Sequence, residues 1–239
     1  MGEESRHAYR RVLLKLSGEA LSGGEAGILN HGFIERIARV LRDCVDGGTE
    51  VAVIVGAGNI WRGRQGDGMD PVTADHMGML ATAINALALQ DAFIQAGLDA
   101  RAMTAVRMGA FAEPYTRARA IHHLEHGRIV ILGCGLGLPF FSTDTAAVLR
   151  AAELGAEVVL MAKNIDGVYT ADPRKDPGAT RIDRISCREV LARGLGAMDM
   201  TAASFCMEKH IPVLVFGLDC PENILRAVRG EEIGTLLTE

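Results

Sequence analysis

Short runs of β-branched and aliphatic residues recur along the chain, at positions 12–16, 51–55, 129–132, 158–161 and 212–216. None alternates cleanly with polar residues. Near-continuous apolar strands of this length belong to a parallel sheet covered on both faces. Amphipathic stretches lie between them. In residues 73–96, Met77, Leu80, Ile84, Leu87 and Asp91 fall at helical spacing, and all but the last are apolar. Residues 33–45 and 143–154 also read as helices. Alternating strand and helix predicts an α/β fold: a doubly wound, mainly parallel sheet with helices on both faces, a three-layer αβα arrangement.

No internal repeat or low-complexity tract interrupts this pattern. The most polar stretch, 170–184, holds Pro173 and Pro177 and reads as a long surface loop. With 239 residues, the chain suits one α/β domain or two closely joined lobes. We take residues 1–239 as one domain, with an N-terminal lobe over about 9–155 and a C-terminal lobe over about 156–239.

The bulk numbers narrow the function classes. A net charge of −5 is wrong for tracking a nucleic-acid backbone, which needs a basic stripe. Aromatic residues at 5% are too few for base-stacking platforms. The five cysteines, Cys44, Cys134, Cys187, Cys206 and Cys220, form no C-x-x-C pair. A disulfide framework or zinc site is therefore not expected, and a reducing cytoplasm fits best. The first ten residues are polar and lack the apolar segment of a signal peptide. No uninterrupted apolar run approaches the roughly 20 residues of a membrane span, so no membrane partner is expected.

In sheets of this kind ligands bind beyond the carboxyl ends of the strands. The first strand runs into Lys15-Leu16-Ser17-Gly18-Glu19, which puts a cation and free backbone amides at one spot. That is a seat for phosphate, or a surface lysine beside an ordinary turn. The second strand ends in Gly56-Ala57-Gly58-Asn59-Ile60-Trp61-Arg62-Gly63. Its glycines permit close backbone approach, and Arg62 can grip phosphate oxygens in bidentate fashion. A plain strand-to-helix turn with an exposed arginine reads equally well. A third glycine loop, Gly133 to Gly137, leads through Leu138, Pro139, Phe140 and Phe141 into Ser142-Thr143-Asp144. Hydroxyls and amides at a helix N-terminus bind anions. Asp144 either caps that helix or orients a lysine. Finally, residues 162–173 carry an Asp166-Gly167 turn and Tyr169, which either stacks on a base or ribose or packs on its own loop.

Two familiar motifs are missing. There is no G-x-x-x-x-G-K-[ST]. The third glycine of G-x-G-x-x-G is Leu138 after Gly133 and Trp61 after Gly56. The residues therefore point to a phosphate-binding α/β protein without a P-loop or a dinucleotide fingerprint.

Taken together, the motifs resemble those of bacterial UMP kinases of the amino acid kinase family. Residues 15–21 are similar to the family's opening segment, and 56–63 to its Gly-Gly-Gly-Asn loop and arginine. Asp75-His76-Met77-Gly78-Met79-Leu80-Ala81-Thr82 resembles its most distinctive helix start. Residues 139–144, 166–173 and 234–239 follow in the same order, so the likeness spans about residues 9–239. The resemblance implies transfer of a phosphoryl group from ATP to UMP, with Mg2+ carried by ATP. It implies Lys15, Arg62 and Asp144 as catalytic residues, with Asp144 organising the lysine. Lys15, Leu16, Ser17, Gly18, Gly58, Arg62, Lys163, Tyr169 and Asp172 would bind ATP. Ala57, Asp75, Leu136, Gly137, Leu138, Pro139, Phe140, Phe141, Ser142 and Thr143 would bind UMP. It further implies a hexamer, with GTP as activator through Gly23, Gly24, Glu25, Ala26, Gly27 and Ile28, and UTP as inhibitor.

The sequence departs from the family in its acceptor region. The family's loop reads Gly-Thr-Gly-Asn-Pro-Phe-Phe-Thr-Thr-Asp, whereas Leu136 and Leu138 stand here for the threonine and the asparagine. Ala57 replaces a glycine. Met161 stands where some relatives have lysine, with Lys163 close by. Sites that select by hydrogen bonding lose discrimination when those bonds are lost. Two alternatives therefore stand beside UMP phosphorylation: a related kinase with another small phosphate or carboxylate acceptor, and a non-catalytic nucleotide-binding storage or regulatory relative.

Overall fold

A computed structural model describes residues 7–22, 27–61 and 68–239. The elements run β1 (Arg11–Leu16), α1 (Gly18–Leu21), α2 (His31–Asp46), β2 (Glu50–Val55), α3 (Pro71–Gln95), β3 (Ala100–Thr104), β4 (Glu113–Pro114), α4 (Arg117–Glu125), β5 (Ile129–Gly133) and α5 (Thr143–Leu154). They continue with β6 (Val158–Lys163), β7 (Val168–Tyr169), β8 (Arg181–Ile182), β9 (Arg184–Ser186), α6 (Cys187–Ala192), α7 (Met200–Lys209), β10 (Val213–Gly217), α8 (Asn223–Val228) and β11 (Thr235–Thr238).

Nine strands form one sheet in the order β4-β3-β5-β2-β1-β6-β10-β11-β9. Every neighbouring pair is parallel except β10 with β11. The sheet is continuous across the boundary between the two expected lobes, because β1 pairs directly with β6. Helices α2, α3 and α8 cover one face, and α4, α5, α6 and α7 the other.

The two-residue period of a strand sorts β1 between these layers. Val12, Leu14 and Leu16 join the α2/α3 core, while Leu13 joins the α5 core. Lys15 therefore points to the α5 side, at the carboxyl end of the strand. The same alternation in β6 sends Leu160 and Ala162 one way and Val159 and Met161 the other. Lys163 ends that strand on the α5 side.

Helix α3 departs from the stripe that the spacing picked out. Leu80 is 55% exposed and Ile84 52%, while the buried face is made of Ala74, Ala81, Ala86, Leu89 and Phe93. Small alanines let the helix lie close to β3 and β5. By length and composition α3 would also pass for a membrane span, although Thr82, Asn85, Gln90 and Asp91 interrupt it. Its packing on the sheet accounts for the buried alanines, Leu89 and Phe93, while Met77, Leu80, Ile84 and Ile94 stay exposed. The polar stretch 170–184 is mostly exposed, as a surface loop should be, but its ends are zipped by antiparallel pairing of β7 with β8.

Candidate active site

The carboxyl ends of β1, β2, β5 and β6 bring the glycine loops to one edge. Ser17 and Gly18 follow β1 and meet the turn after β2. A Cβ on residue 18 would lie 2.5 Å from the Gly58 amide nitrogen and 2.7 Å from the Gly56 carbonyl oxygen. Only glycine fits that contact. Gly56 in turn faces the Gly18 amide and the Thr143 hydroxyl. Leu16 is fully buried, so it can contribute only its backbone here.

Asp144 sits in the first turn of α5, where Ser142 caps the helix by accepting from the Thr145 amide at 3.0 Å. Its carboxylate binds two ammonium groups: Lys15 Nζ at 3.1 Å and Lys163 Nζ at 3.3 Å. Burial alone would raise the Asp144 pKa. The charges of Lys15 and then Lys163 outweigh it and hold the carboxyl below its ordinary value. For Lys163 burial is the largest influence and lowers its pKa. Asp144 opposes that shift and Lys15 adds to it, and the net value lies below that of a free lysine. Lys163 Nζ also donates to the Ala197 carbonyl. Met161 is wholly buried in the same strand, so Lys163 is the β6 cation that reaches Asp144.

Beyond Lys163 opens a cavity of about 450 Å³, lined by Tyr169, Thr170, Ala171, Asp172 and Pro173 on one side and by Arg193 to Ala197 on the other. Tyr169 donates its hydroxyl to Asp166 at 2.9 Å. The Asp172 carboxylate accepts from the Arg174 amide. Tyr169 and Asp172, two of the residues expected to bind ATP, thus line one pocket that Lys163 also borders.

The loop after β5 lies across the site. Asp75, on the first turns of α3, accepts from the Phe140 amide at 2.8 Å. Leu138, Phe140 and Phe141 are exposed, whereas Leu136 is half-buried against the α5-side core. Cys134, Gly135, Gly137 and Phe140 all have positive φ. Gly137 and Pro139 are partly covered, and Ser142 and Thr143 lead into α5 beside Asp144.

Some expected residues fall outside this description. Arg62, with Gly63, lies outside the described residues, as do Gly23, Gly24, Glu25 and Ala26. Gly27 and Ile28 are described, and the Ile28 carbonyl accepts from Asn59 Nδ2 at 2.7 Å. Ala57 sits half-buried in the turn after β2.

Other side chains in the site were not singled out by sequence. Asp199 caps α7 by accepting from the Ala202 amide at 3.0 Å, and it also accepts from Thr145 Oγ1 at 3.0 Å and from the Ser142 hydroxyl. An aspartate before a helical run signals only a cap, and the link to α5 is tertiary. Glu19 accepts from Asn164 at 3.3 Å. Asn85, wholly buried on α3, donates to the Gly56 carbonyl at 2.8 Å.

Residues 10–217 match the model of the amino acid kinase family. The structure is similar to that of UMP kinase from Bacillus anthracis, with a TM-score of 0.93 and 39% identity, covering 96% of both chains. UMP kinase from Ureaplasma parvum matches with a TM-score of 0.91 and 31% identity, over 96% of this chain and 99% of that one. Uridylate kinase from Archaeoglobus fulgidus matches with a TM-score of 0.75 and 31% identity, over 95% and 99%.

Proposed function

The chain belongs to the amino acid kinase family, and on that premise we propose that it transfers the γ-phosphoryl group of ATP to UMP, yielding ADP and UDP. The observation that carries the reading is the Asp144 carboxylate held between Lys15 and Lys163, beside two glycine loops at the carboxyl edge of the sheet. The similarity to UMP kinases over nearly the whole chain supports the choice of acceptor.

The parts suit this chemistry. The nucleophile is an oxygen of the UMP phosphate, already largely ionised near neutral pH, so no side chain must remove a proton. A bond forms from that oxygen to the γ-phosphorus, and the bond from γ-phosphorus to the bridging oxygen of ADP breaks. Catalysis is then positioning and charge neutralisation. Lys15 and Lys163 meet the negative charge that spreads over the transferring group, and Asp144 keeps both ammonium groups aimed. Amides of Gly18 and Gly58 add donors to phosphate oxygens. Magnesium, when bound with ATP, supplies further charge neutralisation. The nearby acids Asp144 and Asp199 are engaged by the lysines and by Ser142 and Thr145, which suits an ion carried mainly by nucleotide oxygens and water.

The cavity beside Tyr169 and Asp172 is the proposed ATP base and ribose site, and the loop from Leu136 to Thr143 with Asp75 the UMP site. Arg62 completes the set on the ATP side. We also propose a hexamer, activated by GTP through residues 23–28 and inhibited by UTP, working in the cytoplasm in pyrimidine nucleotide synthesis. The exposed apolar residues Met77, Leu80, Ile84 and Ile94 on α3 support self-association, and five unpaired cysteines support a reducing compartment.

Incubation with ATP, magnesium and each of UMP, CMP, dTMP and AMP, with the diphosphates separated by chromatography, tests the reading. Rapid UDP formation with UMP alone is expected. Tight ATP binding without turnover of UMP would overturn it and favour another acceptor or a binding role.

A further inference from the structure

Three non-glycine residues among those described have positive φ, and two of them bracket the loop after β5: Cys134 at +63° and Phe140 at +70°. The third, His210, ends α7, where a left-handed residue is a common helix cap. Left-handed backbone is unfavourable for residues with a side chain. It persists where the surroundings hold it, often at functional sites.

Both bracketing residues are held from α3. The Cys134 amide donates to Thr82 Oγ1 at 2.8 Å, and the Phe140 amide donates to Asp75 Oδ2 at 2.8 Å. Thr82 is buried, and its hydroxyl proton is committed to the Met79 carbonyl at 2.7 Å, which turns a lone pair toward Cys134. Asp75 and Thr82 are seven residues apart, two helical turns, and so share one face of a rigid element. The helix fixes the distance between the two strained ends of the loop. Between them Gly135 and Gly137 also take positive φ, at +53° and +74°. Glycine takes such values without cost, so the strain lies at Cys134 and Phe140, and without their partners those two ends would relax.

We infer that Thr82 is a positioning residue for the acceptor: with Asp75 it clamps both ends of the 134–140 loop in a strained shape that receives the acceptor. This rests on the proposed reading of that loop as the UMP site. Thr82 itself touches neither substrate nor the transferring group.

Thr82→Val keeps the shape and removes the oxygen. It is expected to raise the KM for UMP about tenfold, with the KM for ATP within about twofold of wild type. Thr82→Ser should restore the UMP value. Adding Cys134→Gly to Thr82→Val should recover much of the loss, because glycine adopts the left-handed region unaided. Thr82→Ala gives a second test if valine does not fit between α3 and the sheet. Hydrogen–deuterium exchange of peptides covering 133–141 should rise in Thr82→Val, while peptides from β6 stay protected. A parallel rise in both KM values, an unchanged loop exchange, or no recovery in the double variant would overturn the inference. If wild type forms no UDP, the proposed function falls, and the exchange measurement still decides whether the clamp exists.

Discussion

Asn59 and Asn85 form a reciprocal amide pair: Asn59 Nδ2 donates to Asn85 Oδ1 at 2.9 Å, and Asn85 Nδ2 donates to Asn59 Oδ1 at 2.8 Å. The pair ties the turn after β2 to α3. Asn85 also donates to the Gly56 carbonyl, so one buried side chain fixes both the start and the middle of the turn that Gly18 packs against. Buried amides are costly unless paired, and here both are.

Replacing Asn85 with leucine keeps the bulk and leaves the Asn59 amide and the Gly56 carbonyl without this partner. The expected loss is about 2 kcal/mol of folding stability. For a chain of this size that lowers Tm by about 6 °C, measurable by calorimetry. An unchanged Tm would mean that the turn finds other partners.

Asp144→Asn removes the negative charge between Lys15 and Lys163. Turnover is expected to fall by about 100-fold or more, with a non-hydrolysable ATP analogue still binding. Near-normal turnover would remove Asp144 from its organising role. The variant also has a pH signature. The folded pKa of Asp144 lies below the ordinary carboxylate value, so its contribution to stability is complete above that value and lost as pH falls through the lower one. Acid unfolding of Asp144→Asn should therefore lack part of the slope seen in wild type.

Lys163 has a pKa below that of a free lysine, chiefly through burial. As pH rises it loses its proton before exposed lysines do, and with it the charge proposed to meet the transferring phosphoryl group. The alkaline limb of turnover should thus begin below the usual lysine range. Lys163→Arg, which stays charged, should move that limb to higher pH. An unmoved limb would assign it to another group.

Gly18→Ala places a methyl 2.5 Å from the Gly58 nitrogen, a backbone atom that cannot swing aside. The two loops must separate, and the KM for ATP is expected to rise about tenfold or more. Unaltered ATP kinetics would show that the loops part freely.

Leu138 is 56% exposed, while Leu136 packs against the core. Leu138→Asn should therefore leave stability within about 0.5 kcal/mol, whereas Leu136→Thr should cost about 1 kcal/mol through lost apolar burial. If the pair governs acceptor choice, UMP preference over CMP in the diphosphate assay should sharpen in the double variant. An unchanged acceptor profile and GTP response would make both positions neutral.

The central strands were legible because each is a near-continuous apolar run, broken in β1 only by Lys15 near its carboxyl end, and α5 spans Thr143–Leu154 as its pattern indicates. Helix α3 is apolar around most of its circumference. Periodicity could place it but could not choose its buried face, which alanines decide through close approach to the sheet. Strand β3 was not legible because Arg101 breaks its apolar run and no β-branched residue precedes Thr104. In the site, Lys15, Asp144 and the glycine turns stood out because they fall at or just beyond the carboxyl ends of strands. Asp199, Thr82 and Asn85 did not, because their roles lie in contacts between segments more than 25 positions apart, such as Thr145 with Asp199 and Gly56 with Asn85.

The position of β1 in the middle of the sheet governs the order in which the chain can fold. Its partner on one side, β2, follows within 40 residues, but Val12 pairs on the other side with Val158, 146 positions along the chain. Pairings of such sequence separation form slowly. Until β6 arrives, a growing chain carries a hydrophobic strand with one open edge, the kind of surface that invites association with other chains. Lys15 is synthesised early and Lys163 late, so the cluster of both lysines on Asp144 closes only after about two thirds of the chain is available. Nucleotide is therefore not expected to rescue a shorter fragment, and truncations that stop before β6 should be lost to aggregation whatever the ATP concentration.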